Sequence, residues 1–146
     1  AAMTPSALRK AIKILVAEDH DVNQMLLSEM LTKLGFDYEI ADNGIDAVAL
    51  VGQARQEKRQ FDLVLMDIQM PVMDGYTATK WIRNKMGSQI PVIAMTANSL
   101  PGEREKCLRL GMSDYISKPY DQDTLVSVIN RHTIALTAPH GPAIAN

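Results

Sequence analysis

Short apolar runs alternate with longer stretches in which apolar side chains recur every three or four positions. The runs "IKILVA" (12–17), "DYEIA" (37–41), "FDLVLM" (61–66), "IPVIAM" (90–95) and "SDYIS" (113–117) have strand length and are bounded by polar or turn-forming residues. The stretches between them have helical spacing. In "VNQMLLSEMLTKLG" Val22, Met25, Leu26, Met30, Leu31 and Leu34 share one apolar face, Asp21 and Gln24 are spaced as a capping box, and Gly35 supplies the stop. Further helices are predicted from Gly44 to about Glu57, from about Gly75 to Lys85 with Trp81 and Ile82 on the buried face, around Glu103 to Leu110 closed by Gly111, and over "DTLVSVINRH". Strict alternation of strand and helix requires right-handed crossovers and a parallel sheet covered on both faces, which is the doubly wound α/β class.

Residues 1–11 and 134–146 fall outside the alternation and read as flexible linkers flanking one domain at 12–133. At 146 residues, 47% hydrophobic and 22% charged, the chain suits a single core. A net charge of -2 offers no basic field for nucleic acid or an anionic membrane surface. The single cysteine, Cys107, excludes an internal disulfide and sits in a helical apolar pattern, so it reads as a small buried hydrophobe. The nine methionines fall mostly on apolar positions and read as core. With no signal-peptide core and no long uncharged apolar run, a soluble cytoplasmic protein is expected. His132 stands near the end of the last helix, where a cation suits the helix dipole, and His140 in the tail; neither has a catalytic partner in the sequence.

The chemistry gathers at the strand ends. Glu18 and Asp19 follow the first strand, Asp67 the third, Thr96 the fourth and Lys118 the fifth. In a sheet of order 2-1-3-4-5 these residues converge on Asp67, because ligand sites of open α/β sheets form at the carboxyl edge. Three close carboxylates repel unless a cation compensates, and hard oxygen ligands suit Mg²⁺. Lys118 adds a point charge and Thr96 a hydroxyl, a combination fitted to a phosphoryl group. Each residue also has a plainer reading: Asp67 as a turn cap, Thr96 as a strand-end hydroxyl, Lys118 and Glu18 as solvated charges, His20 as a surface loop residue.

The segments "AEDH", "LMDIQMPVMDG", "AMTAN" and "YISKP", in this order, resemble the receiver domain of two-component response regulators over roughly residues 12–133. The resemblance implies a (βα)5 flavodoxin-like fold in which Asp67 is the phosphoacceptor that attacks a phosphohistidine. It implies Mg²⁺, with Mn²⁺ as a substitute, held by Asp19, Asp67 and the Gln69 backbone carbonyl, with Glu18 acting mostly through water. Lys118 and Thr96 would bind the phosphoryl group, Tyr115 would be an aromatic switch or simple packing, and the bond before Pro119 would be cis. "VNQ" after the acidic pair is similar to receivers of hybrid histidine kinases. The implied partner is a histidine kinase or a histidine phosphotransfer domain, with the surface of the fourth and fifth strands and their helices as a second contact face. No nucleic acid, no direct membrane contact and a monomer or weak dimer are expected. The isolated domain is expected not to be an enzyme beyond slow self-dephosphorylation, although a hybrid kinase parent would be one.

Three rivals remain. A dehalogenase-like phosphatase needs a second aspartate where Gln69 stands, and glutamine cannot be a general acid. A flavin domain would have its cofactor phosphate repelled by "AEDHDVN". A degenerate receiver would bind a partner without phosphorylation.

Overall fold

The computed structural model describes residues 9–98 and 100–137, with only the backbone of 134–137. His140 and the tail beyond 137 therefore lie outside the described residues. Five parallel strands, β1 (Lys13–Ala17), β2 (Asp37–Ala41), β3 (Leu63–Asp67), β4 (Val92–Thr96) and β5 (Asp114–Ser117), form one sheet of order β2-β1-β3-β4-β5. The connections are α1 (Asp21–Leu34), α2 (Gly44–Gln56), α3 (Gly75–Lys80, continued by a π-helical turn over Trp81–Lys85) and α4 (Glu103–Arg109); α5 (Gln122–Thr137) follows β5. This is the predicted doubly wound architecture in the predicted order.

Every residue of β3 and β4 is buried, which follows from two central strands covered on both faces. Their side chains divide between two cores. Val64, Met66, Val92 and Ala94 pack with Ala47 and Val51 of α2, Ala78 of α3 and Cys107 of α4. Leu63, Leu65, Ile93 and Met95 pack on the opposite face with Leu27 and Leu31 of α1 and with Leu125 and Ile129 of α5. Each fully buried leucine or isoleucine contributes about 1.5–3 kcal/mol relative to exposure, so the central strands are held from both sides. Ahead of β1, Arg9 donates to the Leu34 carbonyl at the end of α1 at 3.2 Å and stands over the Phe36 ring.

Three local expectations are corrected. The α1 cap is His20, not Asp21, and its side chain makes no capping bond. Gln24, the expected partner in a capping box, instead donates to the Glu18 carbonyl at 2.6 Å and to Asp42 at 2.8 Å. The buried stripe of α1 is Leu27, Leu31 and Leu34, whereas Val22, Met25 and Leu26 are about half exposed. The first turns of α1 follow directly on the end of β1, at the margin of the sheet. Trp81 is likewise exposed, with Lys85 near its ring, while Ile82 beside it is buried. Adjacent helical residues point about 100° apart, so one of the two faces out. Gly35, in a left-handed conformation at φ 87°, does close α1.

The start of β5 is tied to the end of α5 by a buried carboxylate. Asp114 Oδ2 accepts from Arg131 at 2.7 Å and lies 3.0 Å from His132 Nε2, while Oδ1 accepts from the Tyr115 N–H. Burial pushes the Asp114 carboxyl up, but the bonds from His132, the Tyr115 amide and Arg131 outweigh it and hold its pKa below the usual value of 3.8. Such a group contributes stability above its unfolded pKa and loses it as the pH falls through the folded one. Asp114→Asn is therefore expected to lower the unfolding free energy at pH 7 by about 1–3 kcal/mol, with the difference closing in acid. Denaturant titrations at the two pH values read this directly, and an unchanged midpoint at pH 7 would refute it.

Candidate functional site

Asp67 is the last residue of β3, and the chain turns sharply beyond it. The Ile68 N–H extends the ladder to the Met95 carbonyl at 3.2 Å, and Asp74 caps α3 by accepting from the Thr77 N–H at 2.7 Å. Gly75 packs so closely that a Cβ there would collide with the Asp67 carbonyl oxygen. Glycine is required at that point by space, and it fixes α3 against the strand end.

The strand ends enclose a cleft of about 390 Å³ lined by Glu18, Asp19, His20, Asn23, Asp67, Gln69, Thr96, Asn98 and Lys118, among others. Glu18 is 1% exposed, and its carboxylate accepts from the His20 N–H at 3.0 Å and from Lys118 Nζ at 3.2 Å. Lys118 Nζ also reaches Asp67 Oδ1 at 3.2 Å, and its backbone N–H donates to the Thr96 carbonyl at 2.7 Å. Asp19 is exposed, yet one carboxylate oxygen from each of Glu18, Asp19 and Asp67 lies within 4.8 Å of the others. Thr96 is buried, and its hydroxyl oxygen accepts from the Asn98 N–H at 2.9 Å. The Lys118–Pro119 peptide bond is cis.

A sequence profile of the response regulator receiver domain matches residues 14–130. The chain belongs to the response-regulator receiver family. The receiver is 43% identical over 121 residues to hybrid signal transduction histidine kinase I of Dictyostelium discoideum, an alignment covering 81% of this chain and 7% of that protein. It thus spans only a small part of this curated relative. Among solved structures, the receiver domain of sensor histidine kinase PA1611 from Pseudomonas aeruginosa PAO1, with a magnesium ion in its active site cleft, is 43% identical at TM-score 0.69. That match covers 82% of this chain and 95% of the solved PA1611 receiver domain. The receiver domain of Ssk1 from Saccharomyces cerevisiae, solved with the histidine phosphotransfer protein Ypd1, gives TM-score 0.75 at 28% identity, covering 86% and 91% of the two chains.

Of the residues singled out in the sequence, Glu18, Asp19, Asp67, Gln69, Thr96 and Lys118 line one cleft. Tyr115 does not line it; its half-buried ring packs against the core on the α2–α4 face. Sequence reasoning missed Tyr120, Asn23 and Asn98. Tyr120 stands two residues beyond Lys118, its hydroxyl near the Met95 sulfur, and its pKa is raised by burial and by the charges of Glu18 and Asp67. Its closeness in sequence to Lys118 was the available signal; Asn98 was visible only as the end of "TAN".

The electrostatics follow from crowding. Burial, then the Glu18 charge, raise the Asp67 carboxyl to about 6 against the opposing pull of Lys118. Burial pulls the Lys118 ammonium down, but Asp67 and Glu18 outweigh it and hold it above its ordinary value. One ammonium thus shares two buried carboxylates with a third alongside, a donor set of hard oxygens that fits a divalent cation. Because Asp67 binds its proton more tightly folded than unfolded, stability falls as the pH rises from about 4 through about 6. Asp67→Asn is expected to raise the stability of the cation-free receiver at pH 7.5 by up to about 3 kcal/mol, with the gain shrinking toward pH 4. Thermal melts in EDTA across this range would show it; a variant no more stable than wild type at pH 7.5 would contradict it.

Proposed function

We propose that this receiver is a phosphorelay module that accepts a phosphoryl group from a phosphohistidine onto Asp67. The observation that carries the reading is the gathering of Glu18, Asp19 and Asp67 within 4.8 Å at the strand ends, with Lys118 Nζ 3.2 Å from the Asp67 carboxylate. An Asp67 carboxylate oxygen attacks phosphorus, the P–N bond to the donor imidazole breaks with its electron pair leaving on nitrogen, and an acyl phosphate forms. Lys118 pairs with the transferred oxygens, and Thr96 reorients to donate its hydroxyl to one of them. Asp19, Asp67 and the Gln69 carbonyl are the direct ligands proposed for Mg²⁺, which supplies charge neutralisation at the phosphoryl oxygens. Glu18, pinned by Lys118 and the His20 amide, keeps the pocket negative enough to hold that ion.

Asp67 is 6% exposed and lines the cleft, so a donor imidazole must enter the cleft to reach it. Exposed apolar residues follow the first and third strands: Val22, Met25 and Leu26 at the start of α1, and Val72, 79% exposed, after β3. Val72 holds φ 71°, an unfavourable conformation for a β-branched residue. A groove lined by Leu26, Met30, Pro119 and Tyr120 adjoins the site. This margin suits a histidine phosphotransfer domain or the histidine-bearing domain of a kinase. A hybrid histidine kinase is the proposed parent, in keeping with the Dictyostelium relative. No helix among the described residues is long and apolar enough to cross a membrane.

Intact mass after incubation with Mg²⁺ and acetyl phosphate tests the reading. Wild type is expected to gain a single phosphoryl group, with no gain in EDTA or in Asp67→Asn, and Mn²⁺ is expected to replace Mg²⁺. A folded wild type that gains nothing, beside a known receiver that does, would favour a partner-binding domain that works without phosphorylation.

A further inference from the structure

A second cavity meets the acidic cleft. It is a groove of about 260 Å³ between α1 and the segment that follows β5, lined by Asn23, Leu26, Met30, Lys118, Pro119 and Tyr120. Asn23 and Lys118 also line the cleft, so the two cavities adjoin at these residues. The Lys118 ammonium is held on the cleft side, 3.2 Å from both Glu18 and Asp67. No carboxylate lines the groove. Leu26 is half exposed, while Met30 and Tyr120 pack against the core between the sheet, α1 and α5. The Tyr120 hydroxyl lies 3.8 Å from the sulfur of the fully buried Met95, so the polar end of this side chain is directed to the core. Burial and the charges of Glu18 and Asp67 raise its pKa and keep it uncharged. An apolar trough thus opens beside a site whose own walls are polar. A donor as small as acetyl phosphate has nothing to place in it.

We propose that the groove binds the apolar leaving group of a small phosphodonor, so that this receiver takes a phosphoryl group from acyl phosphates with a chain of several carbons in preference to acetyl phosphate. The inference rests on the phosphoacceptor reading of Asp67 and adds a substrate class to it. An Asp67 carboxylate oxygen attacks phosphorus, the P–O bond to the acyl group breaks, and its electron pair leaves with the acyl carboxylate. One mixed anhydride is exchanged for another, so the step needs neither a proton nor a further reactant. The phosphoryl group is paired with Lys118 on the cleft side, and the chain lies along Leu26, Met30 and Tyr120, where apolar surface leaves water. An anionic head and an apolar chain therefore meet surfaces of matching chemistry on either side of Lys118.

The test measures, by intact mass in the presence of Mg²⁺, the second-order rate of phosphorylation by acetyl, butyryl and hexanoyl phosphate. In wild type the rate is expected to rise about three- to fourfold for each added methylene that the groove buries. Leu26→Asn and Met30→Gln, which make the walls polar at nearly constant size, should each lower the ratio of hexanoyl to acetyl rates by roughly tenfold. A general loss of folding or of Mg²⁺ affinity cancels in that ratio. Hexylphosphonate, which carries the chain but has no group to transfer, should inhibit labelling of wild type by acetyl phosphate roughly tenfold more strongly than methylphosphonate does. Equal rates for the three donors, or equal inhibition by the two phosphonates, would overturn the proposal and leave the role of Asp67 standing. A rise with chain length that persists in both variants would put the chain somewhere other than the groove and overturn it as well. If no donor labels the folded wild type, acetyl phosphate included, the phosphoacceptor reading itself fails, and the proposal with it.

Discussion

Two carboxylates held within 3.2 Å of one ammonium, with a third alongside, set the terms for the rest of this molecule. Negative charge so close together and so far from water is unfavourable unless positive charge is supplied from the protein or from a bound cation. Lys118 provides the first and comes from the far side of the sheet, a hundred residues from Glu18 in sequence. The contact therefore exists only if β1, β3, β4 and β5 lie side by side in the observed order. The apolar packing of the central strands keeps that order in place against the repulsion at their ends.

The same arrangement divides the surface by use. Opposite faces of the sheet bury α1 and α5 on one side and α2, α3 and α4 on the other. The faces are closed, so the carboxyl edge is where polar chemistry and exposed apolar residues meet. Gln24 illustrates the economy of the edge: a residue spaced for a helix cap instead holds the backbone of the acidic loop and Asp42. Asn98 of the cleft and Tyr76 of α3 both donate to the buried Glu103 of α4.

Much of this was legible in the chain itself. The apolar runs have strand length, the helical spacings have caps or glycine stops, and their alternation leaves few topologies other than a doubly wound sheet. Glu18, Asp19, Asp67, Thr96 and Lys118 could be read as one site because each follows a strand, and a parallel sheet brings all such positions to one edge. Cys107 read as buried because its neighbours recur at helical spacing, and it is.

What periodicity could not give was orientation within an element and partnership between elements. Leu27 rather than Leu26 faces the core, and Trp81 faces out, because the rotation of a helix is chosen by the sheet it packs on. His20 stands at the cap position, and Gln24 bonds Glu18 and Asp42, partners that come from the ends of two strands. The residue types and their order along the chain determine that carboxylates, a hydroxyl and an ammonium meet at one edge. Which oxygen faces which nitrogen, how far Asp67 is removed from water, and that a buried Glu103 ties Asn98 to Tyr76 depend on distances between segments far apart in sequence, and folding alone sets those.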